Sequence, residues 1–152
     1  MEKALEIRVA EASDTATIAE FNAAMALESE GVALDMDVLT AGVQAALADS
    51  SRAFYLLGNV AGDPAGQLMV TYEWSDWRNG WIWWVQSVYV KPEFRRQGVY
   101  RRLYRRLEAM AAKQGDVRGI RLYVMRENIG AKRTYESLGM HHSEYDLYET
   151  DF

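Results

Sequence analysis

The sequence predicts a mixed α/β domain in which the elements follow the order β-α-α-β-β-β-α-β-α-β-β. Three observations predict it: period-two apolar alternation at Leu5, Ile7 and Val9, helical apolar faces along the first third of the chain, and three β-rich runs between Ala53 and Val90 separated by turn residues. At 152 residues and 49% hydrophobic, the chain is long enough for one substantial core and is read as a single domain over 1–152.

The elements follow in order. Leu5, Ile7 and Val9 mark a first strand, after which Asp14 opens a helix carrying Ile18, Phe21 and Met25 on its apolar face. A second helix starts near Asp35 or Asp37 and uses Val38, Val43 and Leu47, with Gly42 inside it at a cost in helix propensity. Ala53 to Val60 reads as a strand, Gly62 to Gly66 as a turn, and Gln67 to Trp74 as the strand paired back. Asp76 to Gly80 turns the chain again, and Trp81 to Val90 completes the meander. A helix with Val99, Leu103, Leu107 and Met110 on one face follows, then a strand over Gly119 to Met125. A last helix is capped by Asn128, carries Ala131, Tyr135 and Leu138, and is closed by Gly139. Short strands are expected around Met140 to His142 and Tyr145 to Thr150.

The most informative stretch is V-Y-V-K-P-E-F-R-R-Q-G-V-Y-R, from Val88 to Arg101. It leads a strand through a proline turn into a basic, glycine-containing helix start. A helix N-terminus leaves backbone N–H groups unpaired and carries the positive end of the helix dipole, so it suits a phosphate. Arg95, Arg96, Arg101 and Arg102 add cations there, while Gly98 has no Cβ to hold a ligand away from the backbone.

At these residues the chain resembles the GCN5-related N-acetyltransferase superfamily, whose acetyl-CoA signature is Arg or Gln, two residues, Gly, one residue, then Gly or Ala. Arg95 and Gly98 match it, and Tyr100 stands at the last position. The later segment N-I-G-A-K-R-T-Y-E-S-L-G-M resembles the same superfamily's second motif, and the element order spans essentially the whole chain. The resemblance implies a mostly antiparallel sheet whose strands splay apart to admit acetyl-CoA, with no metal required. It also implies that backbone groups of Val88 and Val90 meet the pantetheine arm. Amides over Arg96, Gln97, Gly98, Val99, Tyr100 and Arg101 would then hold the pyrophosphate, aided by Arg95. Asn128 is either a cofactor contact or a helix cap, or both. Tyr135 falls on the tyrosine that hydrogen-bonds or protonates the departing sulfur, against a second reading as a core residue on the helix face.

The attacking amine must lose a proton. Family members that use a base often carry a glutamate about eleven residues ahead of the signature's first residue. Here that position is Trp84. Glu73, between Tyr72 and Trp74, is the substitute expected from sequence, because an acid flanked by aromatics in a sheet would be partly desolvated; the other reading is an exposed strand acid. The acceptor side is expected to combine Glu28 with Trp74 and Trp84 in an aromatic and acidic pocket for a cationic amine, or else these acids serve as caps and solvated loop residues.

Composition limits the alternatives. The chain has no Cys, which excludes disulfides and a Cys-acyl enzyme and leaves direct transfer. Its net charge of -5 argues against a nucleic-acid surface, despite seven Arg and Lys residues from Lys91 to Arg106. No apolar run approaches the ~20 residues of a membrane span, so a cytoplasmic protein with no membrane partner is expected. His141 and His142 face opposite sides if extended and do not form a metal site. The function expected is acetyl-CoA-dependent acetylation of a primary amine on a small molecule or peptide, with a homodimer left open. A non-catalytic acyl-CoA-binding module and a basic-helix RNA-interacting protein are the competing readings.

Overall fold

The computed structural model describes residues 4–152, and the chain divides into two compact units, the first ending at Leu122 and the second spanning Tyr123–Phe152. The first unit holds a five-stranded sheet in the order β1-β2-β3-β4-β5. Its elements are β1 (Leu5–Val9), α1 (Thr15–Glu30), α2 (Met36–Ala48), β2 (Phe54–Val60), β3 (Asp63–Ser75), β4 (Gly80–Val90), α3 (Val99–Gln114) and β5 (Val117–Arg121). The first four strands pair antiparallel and β5 joins β4 in parallel, through α3 as the crossover that a parallel pair demands. No helix of the described residues is long and apolar enough to cross a membrane.

Strand alternation sorts the side chains onto two faces. One face carries Leu56, Leu68, Val70, Trp83 and Val85, which pack with Val99, Leu103, Leu107 and Ala111 of α3. Leu103 and Leu107 are fully buried; burial of side chains this size is worth about 1.5–3 kcal/mol each. The opposite face carries Tyr55 and Leu57, which pack with Ile18 of α1 and Val43 and Ala46 of α2. The tryptophan run divides the same way. Trp81 and Trp83 lie on the α3 face, with Trp74 meeting Trp81 edge-on at 5.0 Å, whereas Trp84 lies half-buried on the α1 and α2 face.

Helix starts follow the sequence chemistry in one case and depart from it in another. Asp35 caps α2 by accepting from the N–H groups of Asp37 and Val38. Asp14 precedes α1 but makes no cap bond: its carboxylate takes both Arg8 guanidinium nitrogens, at 2.7 and 2.8 Å, and the N–H of Glu11. The hydrogen bonds from Arg8 hold the Asp14 carboxyl below its usual range. Val38, expected on the apolar face of α2, is exposed.

Three boundaries differ from the sequence expectation. The β2–β3 hairpin turns on Ala61 and Gly62, both at positive φ, so β3 begins at Asp63 and Pro64 falls inside it beside a register shift where its missing N–H is tolerated. The fifth strand runs Val117–Arg121, because the β4 ladder supplies partners only through the Trp84–Arg121 pair, and Leu122 to Met125 form no strand. Residues 140–142 and 145–150 also form none. Tyr145, Leu147 and Tyr148 are exposed, and without a ladder to bond their backbones an alternating pattern alone does not make a strand. The second unit carries one helix, α4 (Ile129–Ser137), capped by Asn128, whose side chain accepts from the Ala131 N–H at 3.1 Å.

The β3–β4 turn is held by Arg118, which donates to the carbonyls of Arg78 and Asn79 at 3.2 Å each. Gly80 is required by close approach. A Cβ there would lie 2.6 Å from both the Asp116 carbonyl and the Arg118 Cγ, and the carbonyl is itself bound to the Trp81 N–H. Gly80→Ala is therefore expected to destabilise the fold by about 1–3 kcal/mol, read as a lower urea midpoint at unchanged slope.

Candidate functional site

The β4–β5 ladder ends at Trp84 opposite Arg121, so from Val85 to Val90 the outer edge of β4 has no strand partner among the described residues. On the inner edge, the Lys91 N–H donates to the Ala65 carbonyl at 2.8 Å. Alternation then turns the polar groups of Val90 to the open side, where its carbonyl accepts from Arg95 Nε at 2.8 Å. The splay expected between these strands is thus built into the ladder.

A bulge interrupts β4 just before this edge. Gln67 pairs with Tyr89 and Met69 with Gln86, which leaves Ser87 and Val88 opposite Leu68 alone, and Ser87 adopts φ 51°. The bulge is pinned from below. Gln67 is fully buried, and its Nε2 donates to the Ser87 carbonyl at 3.1 Å and to Asn22 Oδ1 on α1 at 3.4 Å. In the sequence S-V-Y-V reads as plain strand, and nothing there signals either the bulge or the part played by Gln67 and Asn22.

Beyond Val90 a short 3₁₀ turn over Pro92–Phe94 leads to a loop with Arg96 at φ 61° and Gly98 at φ 77°, after which α3 begins. Left-handed backbone at both positions folds the loop over the α3 N-terminus, whose first amides have no intrahelical acceptor. At Gly98 the requirement within the chain is therefore conformational and not steric: a Cβ there would meet nothing within 4 Å, yet the φ disfavours any side chain.

The arginines divide by what they touch. The Arg95 guanidinium lies 2.6 Å from Glu28 Oε2 and 5.6 Å from the Tyr89 ring, and the Tyr89 hydroxyl donates to Glu28 Oε1 at 3.3 Å. Burial, then the nearby Glu28 charge, raises the Tyr89 phenol above its usual range. Arg95 and Glu28, expected on the cofactor and acceptor sides, thus meet in one ion pair that ties α1 to the loop. Gln97 donates to the Glu93 carbonyl, Arg102 to the Leu5 carbonyl and Arg105 to Glu108. Arg96 and Arg101 make no side-chain hydrogen bond or ion pair among the described residues, and they are the cations that flank Gly98.

A cleft of about 450 Å³ opens under the bulge between α1, α2 and the sheet. Asn22, Arg52, Tyr55, Thr71 and Ser87 supply its polar lining, with Met25, Leu39, Val43 and Met69 among its apolar walls. Glu28, Trp74 and Trp84 do not line it. Trp74 is half exposed near the hairpin end, and Trp84 stands opposite Thr71 and Arg121.

Glu73 departs from the expectation of a desolvated acid. It is exposed, and its carboxylate lies 3.1 Å from the Arg121 guanidinium. Strand pairing opposite Ile82 places it toward the hairpin end of the sheet, away from the bulge. Glu73→Gln is accordingly expected to cost at most about 1 kcal/mol of stability, the range for an exposed pair, and to leave the acidic limb of any kcat/KM profile in place. Loss of that limb in the variant would restore Glu73 as the base.

In the second unit, Tyr135 and Leu138 share a face of α4, and Leu138 is buried. Burial pushes the Tyr135 phenol above its usual range, which favours the neutral, donating form.

Comparison with known proteins supplies the context for this geometry. The sequence model of the Acetyltransferase (GNAT) family matches residues 21–140. A possible acetyltransferase from Clostridium difficile 630 is 48% identical, superposes with a TM-score of 0.91, and is covered over 97% of each chain. A predicted acetyltransferase from Clostridium acetobutylicum, solved with acetyl-CoA, shares the fold at 15% identity and a TM-score of 0.80, over 97% of this chain and 96% of that one. The aminoglycoside N-acetyltransferase AAC(6')-Iy in complex with CoA does so at 14% identity and 0.79, over 99% and 97%. No curated protein matches the chain.

Proposed function

Because the chain belongs to the Acetyltransferase (GNAT) family, we propose that it is an N-acetyltransferase that takes the acetyl group of acetyl-CoA and passes it directly to a primary amine of a small molecule or peptide. One observation carries this reading: the edge of β4 from Val85 to Val90, which has no strand partner among the described residues, runs straight into a left-handed loop and a helix N-terminus flanked by Arg96 and Arg101. A linear amide-bearing arm and a pyrophosphate ask for those two features side by side.

Acetyl-CoA brings an activated thioester, and the residues of the chain do the rest. Backbone groups of Val88 and Val90 orient the pantetheine arm, with the Val90 N–H on the open side while its carbonyl is held by Arg95. Amides from Arg96 to Arg101 and the Arg96 and Arg101 side chains hold the pyrophosphate. Gln67 holds the bulge through the Ser87 carbonyl, and a backbone N–H of the bulge is the donor assigned to the thioester oxygen as it gathers negative charge. The acceptor enters through the cleft and meets the donor at Ser87. With no carboxylate among the residues lining the cleft, a water path removes the amine proton in place of Glu73. Tyr135 supplies a proton to the departing thiolate, a task for which a phenol kept neutral by burial is suited. The same reading carries a cytoplasmic location and no nucleic-acid partner.

Release of free CoA, followed over a panel of amines, amino acids and peptides, tests the proposal. Acceptor-dependent release with recovery of an N-acetylated product is the expected result. Tight acetyl-CoA binding with no acceptor-dependent release would overturn it in favour of a binding module.

A further inference from the structure

The cleft under the bulge is chemically one-sided. Among the described residues Arg52 is the only charged one that lines it, and that guanidinium already donates to the Ala45 carbonyl at 3.0 Å and stands 3.9 Å from Asp49. The rest of the cleft's polar lining is uncharged, from Asn22, Tyr55, Thr71 and Ser87, with Ser87 in the bulge itself. An amine that reaches Ser87 must therefore lay the rest of its body along an apolar wall. The α1–α2 connection adds Leu34 to that wall.

Gly42 has no explanation in the helix itself. It lies inside α2, where Gly costs about 1 kcal/mol relative to Ala, its φ is not in the left-handed region, and a Cβ there would meet nothing within 4 Å. Neither backbone geometry nor packing requires it. It also lines the cleft while remaining exposed, so a side chain added there would stand at the rim of that cavity.

We propose that the acceptor is a primary amine with an apolar body, alkyl or aryl, that fills this cleft, and that Gly42 sets how large that body can be. The inference rests on the acetyl-transfer reading above and specifies its substrate class. A second cation at the far end of the amine would be desolvated against the apolar wall with no carboxylate to meet it, so charge at that end selects against binding.

Hexylamine and 1,6-diaminohexane have the same reach and differ in that far charge. The expected result is a kcat/KM for hexylamine at least about tenfold higher, read by free CoA release, the size of discrimination one unfavourable group gives in an apolar pocket. Gly42→Ala and Gly42→Leu form a graded pair. The KM for hexylamine should rise in that order, by about tenfold or more for Leu, with acetyl-CoA affinity by calorimetry unchanged and thermal stability equal or higher. Equal or better use of the diamine would overturn the apolar acceptor class while leaving acetyl transfer standing. An unmoved KM in both variants would overturn the role of Gly42. If acetyl-CoA binds and no amine or peptide elicits CoA release, the transfer reading fails and this inference fails with it.

Discussion

Replacing Tyr135 by Phe is expected to lower kcat by about 10² to 10⁴, the range in which a positioned general acid contributes, with acetyl-CoA affinity little changed. The variant removes one oxygen and keeps the ring, so the apolar face that Tyr135 shares with Leu138 on α4 stays filled. That separates the two readings of this residue. A core tyrosine would show its loss as lowered stability with turnover intact, whereas a proton donor would show it in the chemical step. The pH dependence adds a check with a definite sign. Burial raises the phenol pKa, so the neutral donor persists as the pH climbs through the ordinary tyrosine value of about 10, and the wild-type rate should not fall there on account of Tyr135. Single-turnover rates at saturating acceptor decide the matter. A Phe variant as fast as the wild type would return Tyr135 to the core.

The second large effect is expected at Gly98. The loop needs left-handed backbone at this residue, φ 77°, and a β-branched side chain resists that conformation by about 1–2 kcal/mol or more. In Gly98→Val the free loop should relax away, so that acetyl-CoA must first restore it. The expected loss of affinity is about tenfold or greater, since 1.4 kcal/mol is a factor of ten. Gly98→Asn separates conformation from bulk. Asn tolerates the left-handed region, and a side chain at this position meets no neighbouring atom within 4 Å, so the Asn variant should keep most of the loop and lose less affinity than Val. Calorimetric titration of acetyl-CoA into the three proteins, each checked for an unchanged unfolding midpoint, measures the difference. Equal affinity across the series would remove the pyrophosphate from this loop.

The sequence by itself determined the parts of this protein whose physics is local. Alternation at Leu5, Ile7 and Val9, a helix start near Asp35 or Asp37, the cap at Asn128 and the apolar period through Leu103 and Leu107 each depend on residues within a few positions of one another, and each is present in the structure, with Asp35 as the cap. The Arg95 to Gly98 signature located the loop for the same reason, since a helix start after a proline turn is a local event. Tertiary structure decided whatever depends on a partner far along the chain. Where β5 stops is set by how far β4 can pair with it, which no residue of β5 announces. The bulge at Ser87 is pinned by Gln67, twenty residues earlier, and Gln67 in turn by Asn22 on α1. Arg95 and Glu28 were read on opposite sides of the reaction until the fold brought them 2.6 Å apart. Glu73 looked shielded by its aromatic neighbours, but adjacent strand residues face opposite ways, so Tyr72 packs in the α3-side core and Trp74 meets Trp81 while Glu73 points to solvent and Arg121. The cleft under the bulge is the fullest case. Its walls come from two helices and three strands whose apolar residues read in the sequence only as core, because a residue lining a cavity and a residue filling one have the same side chain.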